Sequence, residues 1–132
     1  PSPPSACAAT AWPPTAVADA AQALFARAET AIAAGRFDEA DAALDCADAT
    51  LGAGAAADLA AARYELVRRR GILDYRRERI PEALSGFECA LALSTAREDR
   101  RAIARDLKNV GTSLRRLGDY PGALRALTES LR

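Results

Sequence analysis

The chain has no histidine among its 132 residues. That absence removes the commonest general acid and base, the Ser-His-Asp triad and every metal site built on imidazole. Its three cysteines, Cys7, Cys46 and Cys89, are too few and too scattered for a zinc cluster or a dense disulfide framework. Aromatic residues make up only 5% of the chain and are not interleaved with its basic residues, as a base-stacking surface would require. No apolar run approaches the roughly 18 residues needed to cross a bilayer. No window alternates apolar and polar residues with a period of two, so no strand is expected. Carboxylates are present, but without a glycine-rich phosphate loop or a paired-acid cleft they do not suggest an enzyme, and no cofactor or metal is expected.

Half of the residues are apolar, and much of that share is alanine, which favours helices and lets them pack closely. The length suits one domain large enough to bury a core. Formal charge is zero but unevenly placed. Residues 1–62 hold two basic and eight acidic groups, a net of −6, whereas residues 63–132 hold sixteen basic and ten acidic, a net of +6. Such asymmetry bears on partners and self-association rather than on fold.

Residues 1–14, PSPPSACAATAWPP, show no period and read as an extended, polyproline-like lead. From Thr15 the pattern turns helical. Val17, Ala21, Leu24, Ala28 and Ala31 recur at spacings of three and four, until Gly35 and Arg36 interrupt them. Phe37, Ala40, Leu44, Ala47 and Leu51 form a second amphipathic run ended by Gly52 and Gly54. A third helix is predicted over 56–78, ahead of Pro81 in the first turn of a fourth. Thr95 and Glu98 have the spacing of a capping box before the stripe Ile103, Leu107, Val110, Leu114 and Leu117. Gly118 breaks that stripe and Pro121 opens a sixth helix, with Leu124, Leu127 and Leu131 predicted to line its inner face.

Three segments align: Gly35-Arg36-Phe37-Asp38-Glu39-Ala40, Glu78-Arg79-Ile80-Pro81-Glu82-Ala83 and Gly118-Asp119-Tyr120-Pro121-Gly122-Ala123. Four residues after each alanine comes a large apolar residue (Leu44, Phe87, Leu127), and twelve before it a small one (Ala28, Gly71, Gly111). In these residues the chain resembles the tetratricopeptide repeat (TPR) family. The resemblance covers residues 16–132 and is fullest in the third repeat. It implies an all-α superhelix of three helix-turn-helix repeats, about 16–54, 55–95 and 96–132, with the small residues at the close crossing within each pair. The marker alanines lie 43 and 40 residues apart, longer than the family's usual 34. This period is similar to that of bacterial sensor and regulatory arrays, including the N-terminal TPR regions of some membrane-bound diguanylate cyclases. The expected role is therefore an interaction or sensor scaffold for a peptide or partner domain. A purely structural oligomerisation module, joined through the oppositely charged halves, is the alternative. If the diguanylate cyclase likeness holds, the Pro/Ala-rich start would follow a removed signal peptide and the module would be periplasmic; a cytoplasmic place is the alternative. With no capping helix after the sixth, the three leucines there would be partly exposed, and the sequence is expected to be part of a longer protein.

The resemblance also marks departures. Arg27 and Arg70 stand where leucine is usual, and Asp74 where an aromatic is common. Asp74 would satisfy Arg70 or Arg27, or these charges would form a polar ligand site. The concave face implied by the alignment comprises Gln22, Phe25, Glu29 and Ile32, then Arg68, Ile72, Tyr75 and Arg76, then Arg105, Lys108, Asn109, Thr112, Arg115 and Arg116. Asn109 matches the family position whose amide grips a peptide backbone, and an amide can donate and accept at once. Phe25 and Glu29 stand where a carboxylate-clamping TPR needs Lys and Asn, which argues against that function. An acidic peptide suits the basic second and third repeats; a solvated helix face is the alternative. Nucleic acid is raised by Arg68-Arg69-Arg70, but the acidic half and the missing aromatics argue against it. Cys46 and Cys89 read as equivalent half-buried residues. Cys7 on the lead could reach Cys46 in a disulfide, which would imply an oxidising compartment, and Trp12 could anchor the lead.

Overall fold

The computed structural model describes residues 13–52 and 59–132, and among them the only regular elements are helices. They are α1 (Pro14–Ala33), α2 (Phe37–Gly52), α3 (Ala60–Arg76), α4 (Ile80–Ala96), α5 (Arg100–Arg116) and α6 (Tyr120–Ser130). Six helices without a strand are what the periodicity predicts. Cys7, Trp12 and most of the proline-rich lead lie outside the described residues, as do 53–58. The chain divides into two compact units, Pro1–Arg69 and Arg70–Arg132, with α3 contributing to both.

In the first unit α1 and α2 pack together along the predicted stripes. Val17, Ala21, Ala28 and Ala31 of α1 are fully buried, as are Ala40, Leu44, Ala47 and Leu51 of α2. Asp38 and Glu39 occupy the first turn of α2, where the helix dipole favours negative charge. At its other end Arg63 Nη2 donates to the Leu51 carbonyl at 2.8 Å, satisfying an acceptor that the helix leaves open. Cys46 is buried and is a disulfide cysteine, while Cys89 is exposed and carries a free thiol. The two positions are therefore not the equivalent half-buried pair expected from the repeat. The proposed partner of Cys46, Cys7, lies outside the described residues.

In the second unit the small residues sit at close approaches. A β-carbon on Gly71 would lie 2.8 Å from Cε1 of Phe87, and one on Gly111 would lie 2.7 Å from Cγ of Leu127. Ala83 and Phe87 of α4 and Val110 of α5 form the core, with Ile72, Tyr75, Leu84, Leu91, Leu114 and Ala126 packed on it. Deeper on α5 the buried side runs Ala102, Asp106, Val110 and Ser113, not along the predicted leucines; Leu117 is exposed. Asp106 is fully buried and accepts from Ser94 Oγ at 2.8 Å. On α6 the buried residues are Gly122 and Ala123, whereas Leu124 is 68% and Leu131 88% exposed. Those two leucines do not line an inner face, since no described helix packs over them.

Four turns share one geometry. Gly35, Glu78, Glu98 and Gly118 all have positive φ, of 78, 64, 55 and 88°. In each turn the next amide donates five residues back, from Arg36 to Ala31, Arg79 to Asp74, Asp99 to Ser94 and Asp119 to Leu114. This is the Schellman ending of a helix, which prefers glycine at the left-handed position. It also corrects the capping-box expectation. Thr95 belongs to α4 and Glu98 is the left-handed residue, so α5 is capped by Asp99, whose carboxylate accepts from the Ala102 amide at 3.1 Å. Asp119 caps α6 in the same way through the Gly122 amide at 2.9 Å.

Glu98→Gly should stabilise the chain by about 0.5–1 kcal/mol, because a left-handed conformation costs an L-residue on the order of 1–2 kcal/mol and glycine's unfolded-state entropy returns part of it. Gly71→Leu should destabilise by roughly 1–3 kcal/mol or more through overpacking against Phe87. Thermal unfolding of both variants checks the two signs together.

Candidate interaction face

On α3, Ile72, Tyr75 and Arg76 are spaced to share one helix face, and on α5 Arg105, Asn109, Thr112 and Arg116 follow at four, three and four residues. The second unit brings five of the sequence-selected residues together. Ile72, Tyr75 and Arg76 from α3 and Asn109 and Thr112 from α5 line a pocket of about 160 Å3 whose remaining wall is Phe87 of α4. Phe87 is 3% exposed and is held in place by the core it shares with Ala83 and Val110. Thr112 Oγ1 donates to the Lys108 carbonyl at 2.9 Å, which leaves the hydroxyl's lone pairs available to a donor.

Arg116 lies beside this pocket. Its guanidinium carbon is 5.4 Å from the centroid of the Tyr75 ring, and its Nη2 donates to Glu78 Oε1. Hydrogen bonding to Tyr75 and to Glu78, with the charge of Glu78, raises its pKa above the ordinary arginine value. Tyr75 is thereby braced from outside by a cation and from inside by the core. Arg105, Lys108 and Arg115 are exposed on α5 and do not line the pocket.

Arg68 belongs to the first unit. Its Nη2 donates to Glu65 Oε1 at 3.0 Å, and the same oxygen lies 3.3 Å from Arg69 Nε. Arg69 also reaches Glu29 at 3.9 Å and stands 5.8 Å from the Phe25 ring centroid. Part of the basic run is therefore offset by carboxylates of its own unit. Arg70 and Asp74 are half-buried, and each has an interaction partner, so their charges are not left isolated. Ala28, Ala40 and Ala83 are fully buried and Ala123 nearly so.

Two residues do more than the repeat pattern implies. Phe87, the large residue four after Ala83, also supplies the pocket wall, and its spacing from Gly71 is the signal for it. Asp106 faces inward, as its place between Ala102 and Val110 at four-residue steps marks. Among the described residues no group of His, Cys, Asp and Glu could hold a metal ion. No described helix is long and apolar enough to cross a membrane.

A family model for the tetratricopeptide repeat matches residues 55–132. The chain belongs to the tetratricopeptide repeat family. The matched part includes both glycine crossings and all of the pocket residues. No curated protein and no solved structure matches the chain. TPR repeats generally mediate protein–protein interaction, and the family is typically a non-catalytic scaffold.

Titration of the denatured, unreduced chain should find a single thiol, that of Cys89. Three reactive thiols would contradict the disulfide at Cys46.

Proposed function

We propose that the second unit binds a peptide or an extended segment of a partner protein across α3 and α5. The observation that carries this reading is the pocket, where residues from two helix faces converge on Phe87. Asn109 is among its lining residues, and an amide can pair with a ligand's backbone in both directions. Tyr75 and Phe87 offer apolar and aromatic area that is already ordered, so little conformational entropy is lost when a ligand covers them. Acidic character in the ligand suits the arginines and lysine of α5. The period of about 40 residues supports a regulatory or sensor role of the bacterial signalling kind, with an output domain such as a diguanylate cyclase attached. A disulfide at Cys46 supports an oxidising compartment for that module.

Peptides selected from a random library on the wild-type chain test this reading. They should bind Asn109→Ala about 5- to 10-fold more weakly, the equivalent of about one net hydrogen bond, with an unchanged melting temperature. Affinity should also fall as salt rises. Peptides that bind the variant as well as the wild type would place the ligand elsewhere.

A second reading, homo-oligomerisation, is favoured by the exposed apolar residues Leu117, Tyr120, Leu124 and Leu131 on α6 and its preceding turn. Exposed apolar patches of this kind mark interaction sites in soluble proteins. Light scattering after size exclusion should then show a mass above the monomer that Leu124→Asp returns to the monomer value. A monomer at every salt and protein concentration would contradict this reading.

A further inference from the structure

The pocket of the second unit has the size and lining to choose its occupant; the inference rests on the reading that this face binds a peptide. Its volume of about 160 Å3 is close to that of an engineered cavity of about 150 Å3, lined by leucine, isoleucine and phenylalanine, that holds a benzene molecule. Ile72, Tyr75 and Phe87 supply its large apolar and aromatic residues, and Arg76, Asn109 and Thr112 complete its lining. The ring of Phe87 offers no hydrogen bond, so a polar side chain lodged against it would lose its water without replacement.

The charges around the pocket define what flanks that side chain. Arg105, Lys108, Arg115 and Arg116 are exposed on the part of α5 that carries Asn109 and Thr112, and the only carboxylate of that helix, Asp106, is fully buried and bonded to Ser94. The solvent side of α5 thus presents cations with no acidic residue of its own helix among them; Glu78 offsets Arg116, and Arg105 also has an interaction partner. A ligand with carboxylates beside its apolar group complements this surface, and one with lysines opposes it.

We propose that this pocket takes one apolar side chain, of leucine to phenylalanine size, from a peptide segment with acidic residues on both sides. Acetylated and amidated nonapeptides, with four aspartates on each side of a central Ala, Leu or Phe, test it by fluorescence anisotropy against the whole chain. The Leu and Phe peptides should bind about tenfold or more tightly than the Ala peptide, as expected for burial of the additional carbons. Replacing the aspartates by lysines should abolish binding. Thr112→Leu, which narrows the pocket from its wall, should remove the preference for Leu over Ala.

Equal affinities for the Ala, Leu and Phe aspartate peptides would overturn the side-chain pocket and leave peptide binding by this face intact. A preference for Leu that survives in Thr112→Leu would also overturn it. Failure of every aspartate peptide to bind would overturn the acidic ligand and count against the peptide-binding reading as well.

Discussion

The second unit depends on what two glycines lack. At Gly71 a β-carbon would meet the Phe87 ring at 2.8 Å, and at Gly111 it would meet Leu127 at 2.7 Å and the Ala123 carbonyl at 3.3 Å. Removing that one carbon lets a large side chain from the neighbouring helix lie directly on the backbone, where protein interiors tolerate no void and no overlap. Phe87 is both a member of the buried core and a wall of the pocket. Packing and recognition therefore share a residue, and a change in the close approach moves the surface that a ligand would touch.

Electrostatics is organised on the same scale. The sequence separates an acidic half from a basic one, yet within each unit several charges are already engaged at short range. Arg68 and Arg69 share Glu65 in the first unit, and Arg116 is held by Tyr75 and Glu78 in the second. The contacts of Arg116 with Glu78 are partly solvated and contribute little to stability. Their effect is to orient side chains: Arg116 braces Tyr75, and Tyr75 lines the pocket. The net field of α5 remains positive, which suits steering of an acidic partner more than strength of binding.

Much of this was legible in the residues. Apolar spacing gave the six helices to within a few residues, and the aligned Gly/Ala pairs pointed to the close approaches, because only small residues permit them. Of the ten concave-face residues that the alignment implies in the second and third repeats, five converge on the pocket. What could not be read was set by tertiary context. Thr95 and Glu98 carry a local capping signature, but α4 continues through Thr95 and its Schellman turn places Glu98 in the left-handed region, leaving Asp99 as the cap. The same left-handed residue followed by a capping aspartate recurs at Gly118-Asp119. The leucines of α6 have the right periodicity for a buried face, yet periodicity does not say whether another helix covers that face. Likewise Cys46 and Cys89 share a repeat position but differ in burial, since each environment is decided by the helices around it.

The central claim is that ligand recognition resides where α3, α4 and α5 meet in the second unit. An NMR titration with methyl-labelled protein, using the aspartate-flanked leucine peptide, tests it most directly. The account predicts saturable shifts at the Ile72 and Thr112 methyls and at the Asn109 side-chain amide, with the α1 and α2 methyls unmoved. Shifts centred on Leu124 and Leu131, or on α1 and α2, with Ile72 and Thr112 unchanged, would contradict it.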